Sequence, residues 1–508
     1  MSTPAADRPG TGGTGLGGPG VGGPGTGGPG VGGPGVGGPG QLTRHRVNIV
    51  ALMTALLAAC IAFQLNASML SPALVTIEKE LHTDSAAVGL TQTAFFTSAA
   101  LFSLFLPRLG DIIGRKKVLA GMLIVMTVGC VVAALAPNIG VLFVGRIIQG
   151  VSGPVVPLCL IMLRVEVREP KLYGTLMGVI TAFNGGIAGV DALAGGYLAQ
   201  NHGFASVFWT MGVIAALASV LLIFLAPEST AEKKEKMDWV GVLPLVISVG
   251  ALLVALNEAG KLGAANWVLV AVLAVVAAVA FGVFWRVENR SSHPLVATHL
   301  LKQRSTWALL LTTLLTMTGV FAVMNGLIPA LAQDAKFGFG MGAEESAWWT
   351  LTPYALAGLL MGPLSGRLAA TLGYGRVLRI GMVGSVITLG LMMFTVGDHV
   401  RLFLLLVSIL IGITYAGMGN IMLNGLGIVL SPKENPGFLP GLNAGAFNLG
   451  AGLSFAVIFA VKTALTPADG GGTAGYYGGL IAGLVFLVLA LAASFLIPKP
   501  VDAEEHHR

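Results

Sequence analysis

Charge is scarce in this chain. Only 10% of its 508 residues are Asp, Glu, Lys or Arg, against 55% hydrophobic, and its mean hydropathy is +0.83. An ordinary soluble domain carries roughly 25% charged residues, so this composition excludes one and leaves a polytopic membrane protein. Cysteine is nearly missing as well. Cys60, Cys130 and Cys159 all fall inside apolar runs, which excludes a disulfide framework or a CxxC metal site by position and spacing. A phosphate-cradling Gly-x-x-x-x-Gly-Lys-Ser/Thr loop does not occur, so ATP-driven pumping is disfavoured. The net charge of +6 is spread over short loops without a basic patch, so nucleic acid is not an expected partner. The terminal pair His506-His507 is too short a tract to propose a metal site. The expectation is a non-enzyme with no catalytic residues, no metal and no cofactor.

What the chain does have is glycine, proline and long apolar runs. Residues 1–40 repeat "GGPGV" or "GGPGT", a tract with nothing to bury, and the reading is a disordered cytoplasmic tail over 1–46 with no signal peptide before residue 47. Beyond it, apolar segments are long enough to cross about 30 Å of hydrocarbon as helices. The predicted spans are 47–70, 86–106, 117–136, 141–163, 174–199, 205–226, 239–257, 266–285, 305–331, 346–369, 376–396, 401–430, 438–461 and 476–497, fourteen in all. Charge supports that count. Twenty-three of the 29 Lys and Arg fall in the N-terminal tail, the C-terminal tail and alternate loops, five fall in the opposite loops, and Arg146 alone lies within a helix. By the positive-inside rule both termini are then cytoplasmic.

Two loops carry related motifs. "PRLGDIIGRKKVL" after the second span holds Asp111, Gly114 and Arg115, and "GPLSGRLAATLGYGRVL", eight spans later, holds Gly366, Arg367, Gly373 and Arg376. A recurring Gly/Arg loop suggests an internal repeat of the kind transporters use. From charge alone the first loop is equally a positive-inside anchor with a turn glycine. In the fourth span, "GRIIQGVSG" puts Arg146, Gln149, Gly150 and Gly153 on one helix face. A buried arginine costs at least about 2.5 kcal/mol on insertion scales, so it should face a wet cavity or a partner; snorkelling to the outer interface is the alternative.

With these residues the chain resembles the major facilitator superfamily, specifically its fourteen-helix drug:proton antiporter branch. The first loop is similar to the family signature Gly-x-x-x-Asp-Arg-x-Gly-Arg-Arg, keeping Asp111, Gly114 and Arg115 but with Pro107 and Ile112 in place of the leading Gly and first Arg. Arg146, Gln149 and Gly150 match its Arg-x-x-Gln-Gly motif, and "ALNEAGKLGAANW" and "NLGAGLSFAV" also resemble this branch. The resemblance implies an all-α fold of fourteen transmembrane helices, two six-helix halves (47–230 and 301–498) with two extra helices between them (231–300) and a cytoplasmic tail at 499–508. It also implies that Asp111, Gly114 and Arg115 form a cytoplasmic gating loop.

Two departures qualify it. In "LNASMLSPALVTI" Asn66 stands where the family has a first-helix aspartate, and Val75 replaces a proline. In "IAGVDALAGG" Asp191 and Ala192 replace the Gly-Pro of the antiporter signature Gly-x-x-x-Gly-Pro-x-x-Gly-Gly. One carboxylate has left the first helix and another has entered the fifth, where Asp191 shares a sparsely filled stripe with Asn184, Ala188 and Gly195. Ionisable residues inside membranes are functional by default, which makes Asp191 the proton-coupling candidate; a protonated or Arg-paired packing group is the alternative. Arg146, Gln149, Asn66, Asn184, Asn325 and Tyr354 are candidates to line the substrate cavity, although interhelical hydrogen bonding accounts for many such polar residues.

The expected function is secondary active transport by alternating access, working as a monomer in the cell membrane and driven by a proton gradient. The resemblance implies efflux of small hydrophobic compounds, drugs or secondary metabolites, in exchange for protons. The missing Gly-Pro kink and the Asn-rich second half favour an alternative, a proton-coupled importer of a polar nutrient. A sensor or scaffold without net transport is a further alternative.

Overall fold

Hydrocarbon offers a peptide group no water, so an apolar run must satisfy its N–H and C=O groups within itself, and every element among the described residues is helical. The computed structural model describes residues 48–499, save 168, 229–238, 260–262, 264, 292–297, 398–399, 433–437 and 468–471; at 170, 171, 174, 181–186, 257 and 298 it describes the backbone alone. The expected tail at 1–46 therefore lies outside the described residues.

The long helices are α1 (Ile49–Glu80), α2 (Ser85–Ile113), α3 (Arg115–Ala134), α4 (Ile139–Glu166), α5 (Pro170–His202), α6 (Phe204–Leu225), α7 (Trp239–Ala259), α8 (Trp267–Glu288), α9 (Arg304–Gln333), α10 (Ala343–Leu372), α11 (Tyr374–Thr395), α12 (Arg401–Val429), α13 (Phe438–Leu465) and α14 (Ala474–Ser494). Among the described residues, thirteen helices, all of these but α5, are long and apolar enough to span a membrane. α5 contains the expected span 174–199 and runs for 33 residues, about 50 Å at 1.5 Å per residue.

Short polar side chains start several of these helices. Asn48, Asp84, Asn138 and Asn266 accept hydrogen bonds from first-turn N–H groups of α1, α2, α4 and α8, groups that have no partner inside the helix. Glycine separates others. Gly114 (φ 109°) joins α2 to α3 and Gly373 (φ 84°) joins α10 to α11, in the left-handed region that only glycine enters freely. The two similar loops read from the sequence thus share a backbone turn. α1 is broken at Met69-Leu70, where Ser71–Ala73 tightens to a 3-10 turn around Pro72, whose ring nitrogen has no hydrogen to donate.

Helices pack chiefly within two groups. In the first, α1 packs on α5 and α6, and α3 on α4 and α6; in the second, α9 packs on α13 and α14, and α12 on α10 and α11. α7 and α8 pair with one another, and α7 also touches α2. α2 against α13 and α5 against α10 form the seams between the groups. Hydrogen bonds across the seam gather toward the end opposite the Gly114 and Gly373 loops: Gln333 Nε2 donates to Pro72 O (3.0 Å), the Glu344 N–H to Gln200 Oε1 (3.2 Å) and Thr352 Oγ1 to Gly189 O (2.9 Å). That end is the one poor in Lys and Arg.

Candidate functional site

The face of α4 that carries Arg146 lies flush on α2. A Cβ on Gly150 would meet Ser98 and the Phe95 carbonyl, and one on Gly153 would meet the backbone of Ala99, so only glycine permits this approach. The approach brings Arg146 into a fully buried polar cluster. Its Nη1 donates to Gln149 Oε1 (2.6 Å) and to Asn66 O (3.2 Å), its Nη2 donates to Gln92 Oε1, and its guanidinium carbon sits 4.1 Å from the centroid of the Phe95 ring. Asn66 Nδ2 donates to Ala62 O, and Cys130 Sγ is 3.5 Å from Asn66 Oδ1. At 0% exposure Arg146 does not snorkel. Among the described residues it also has no carboxylate partner: amides, a carbonyl and an aromatic face hold the charge.

Asp191 is equally enclosed, at 2% exposure. Ser68 Oγ donates to its Oδ2 (2.5 Å), and Gln64 Nε2 in turn donates to Ser68 Oγ (2.9 Å), a line of polar groups running from α1 into α5. Its second oxygen, Oδ1, has no hydrogen-bond partner among the described residues. The two helices meet closely beside it, because a Cβ on Gly195 would strike the Met69 carbonyl, at the break in α1. So Asn66 and Ser68, two residues apart, serve different ionisable groups: one supports Arg146 and the other holds Asp191.

The remaining predicted positions are dispersed. Asn325 lies in a π-helical turn of α9, Val323–Leu327, and its Oδ1 accepts from Ser71 Oγ of α1 across the seam (3.4 Å). Such wide turns often mark functional positions. Tyr354 is partly exposed on α10, and its carbonyl lies against Gly412 of a second π-helical stretch, Gly412–Asn420 in α12. The side chain of Asn184 lies outside the described residues. Across the junction of α2 and α3, Asp111 Oδ1 in the last turn of α2 pairs with Arg115 Nη2 (2.7 Å) and Nε (2.8 Å) at the start of α3, and Gly114 supplies the turn between them, so the expected loop is a single residue.

Sequence reasoning passed over the phenylalanines. Phe96 of α2 meets Phe321 of α9 edge-on at 5.0 Å, and Phe321 meets Phe447 and Phe455 of α13 at 5.8 and 6.2 Å. Singly, each reads as core, and no spacing within one helix reveals a cluster built from three.

The family model for the Major Facilitator Superfamily matches residues 56–455. The chain belongs to the major facilitator superfamily. A "Uridine/deoxyuridine transporter" of Lactococcus lactis subsp. cremoris is 58% identical over 461 residues, covering 90% of this chain and 96% of that protein. "Multidrug resistance protein Stp" of Mycobacterium tuberculosis is 25% identical over 425 residues, 83% of this chain and 77% of its own. Among solved structures, the nucleoside transporter NupG superposes with a TM-score of 0.60 at 14% identity, over 88% of this chain and 98% of that one, a likeness of fold.

These findings correct the expected efflux of hydrophobic compounds. The relative matched nearly end to end is named for nucleosides, and the multidrug-named relative is far more distant. The physical reason was already present in the departures. The antiporter Gly-Pro is gone from α5, and Asn66, Ser68, Asp191 and Asn325 are buried among the helices.

Proposed function

We propose that this protein carries nucleosides of the uridine class into the cell, drawing a proton inward with each substrate through Asp191. The observation that carries the substrate class is the 58% identity over 90% of the chain to a uridine/deoxyuridine transporter. The coupling reading rests on geometry. Asp191 is a buried carboxyl with one donor, Ser68, beside the break in α1 and the close approach of α1 to α5 at Gly195. A carboxyl placed there gains or loses a proton as its surroundings change between two conformations, and that difference links proton movement to substrate movement. The transporter works as a monomer in the cell membrane; the Lys and Arg distribution favours cytoplasmic termini.

Transport in proteoliposomes tests this. With the outside made acidic, radiolabelled uridine should accumulate inside, and a protonophore should abolish the accumulation. Accumulation only under the opposite gradient would make the protein an exchanger, and absence of uridine flux in a folded, reconstituted protein would remove the substrate assignment.

A further inference from the structure

A chain of aromatic rings crosses the seam at mid-span. Phe95 and Phe96 of α2 meet edge-on at 4.9 Å and 76°, Phe96 meets Phe321 at 5.0 Å and 82°, and Phe321 meets Phe447 at 5.8 Å and 75°. The rings differ in exposure. Phe96 and Phe455 are buried at 1% each, whereas Phe321 and Phe447 keep part of their surface open. Phe321 touches rings of both helix groups, so it and the ring packed on it stand where the groups meet. Two partly open rings at 75° make a corner: a flat aromatic solute laid on one face meets the other ring edge to face, a favoured geometry.

One turn beyond Phe321 comes Asn325, in the widened turn Val323–Leu327. Its Nδ2 donates to Phe321 O (3.0 Å) and its Oδ1 accepts from Ser71. A carboxamide has two N–H donors and two acceptor lone pairs, so one of each is left over, on a side chain that is itself buried at 6% exposure. That pair complements an imide edge, the C=O and N–H side by side on a uracil ring.

We infer that Phe321 and Phe447 form the wall on which the planar base of a nucleoside stacks, with Asn325 reading the imide edge; this rests on the nucleoside assignment above. Recognition here depends on the base being flat and aromatic, beyond its polar groups. Uridine and 5,6-dihydrouridine separate the two, because the reduced base keeps the ribose and the imide edge and loses the planar π system.

Binding of both compounds to the purified full-length protein in nanodiscs tests the inference. The parent should bind uridine at least tenfold more tightly than dihydrouridine. Phe321→Leu and Phe447→Leu, which keep apolar bulk, should weaken uridine binding roughly five- to a hundredfold, the range for loss of one stacking partner, and should erase the preference over dihydrouridine. Phe447→Tyr should retain it. Equal affinity of the parent for the two compounds would overturn the inference, and this comparison needs no variant to fold. Leu variants that discriminate as the parent does would overturn it too. A parent that binds neither compound would instead remove the nucleoside assignment on which the inference stands.

Discussion

Arg146 and Asp191 are both enclosed by protein, and each is held by neutral groups. Hydrogen bonds to amides and a hydroxyl spread the charge without cancelling it, which leaves the carboxyl able to respond to its surroundings. Asp191→Asn mimics a permanently protonated group while keeping an acceptor for Ser68. It should abolish uridine accumulation driven by a pH gradient and retain uridine counterflow; a variant that still concentrates uridine like the parent would put the coupling elsewhere. Arg146→Leu should act on stability. It strips the donor from Gln92 Oε1, Gln149 Oε1 and Asn66 O, and each buried group left unpaired costs about 1–3 kcal/mol. The melting temperature in detergent should fall by several degrees, and an unchanged melting curve would show that water or a rearrangement satisfies the cluster.

At the level of the helix, glycine decides which pairs approach. Gly195→Ala places a methyl against the Met69 carbonyl, so α5 must move off α1 where Ser68 meets Asp191. Transport should fall at least tenfold with the protein still in the membrane. Gly121→Ala in α3, where a Cβ meets nothing within 4 Å, should be neutral or slightly stabilising, since alanine favours a helix over glycine by about 1 kcal/mol. Equal effects of the two substitutions would refute the packing account. The junction of α2 and α3 is held differently. Its Asp111–Arg115 pair is partly exposed, with side-chain exposures of 52% and 20%, and such pairs contribute about 0–1 kcal/mol to stability. If the pair instead sets the rate of a conformational step, Asp111→Asn should slow transport severalfold with uridine affinity within a few-fold of the parent; full transport rate in this variant would remove the gating role.

At the scale of the molecule, the long apolar helices were legible from hydropathy, whereas the seams between them were not. A bilayer imposes one strong constraint, an apolar run of set length with its backbone bonds satisfied internally, and thirteen helices of that kind stand close to the predicted spans. The low-complexity tail follows from composition too. Deleting residues 2–40 should leave uridine uptake within twofold of the parent, measured per reconstituted molecule, because a Gly/Pro tract carries too few apolar side chains to build a packed surface.

The sequence by itself determined that this chain lives in a membrane and roughly where its helices run, put Arg146, Gln149, Gly150 and Gly153 on one face of α4, and singled out Arg146 and Asp191 as ionisable residues within the helices. Each of these depends on neighbours a few residues away, through helical period, capping and the cost of charge in hydrocarbon. Only the tertiary structure decided the partners. Asn66 meets Arg146 across 80 positions, Ser68 meets Asp191 across 123, and Ser71 meets Asn325 across 254. The phenylalanine corner likewise needs α2, α9 and α13 side by side. Spacing along one helix fixes a direction, but what stands in that direction depends on which helices pack together, and close packing at Gly150, Gly153 and Gly195 sets that.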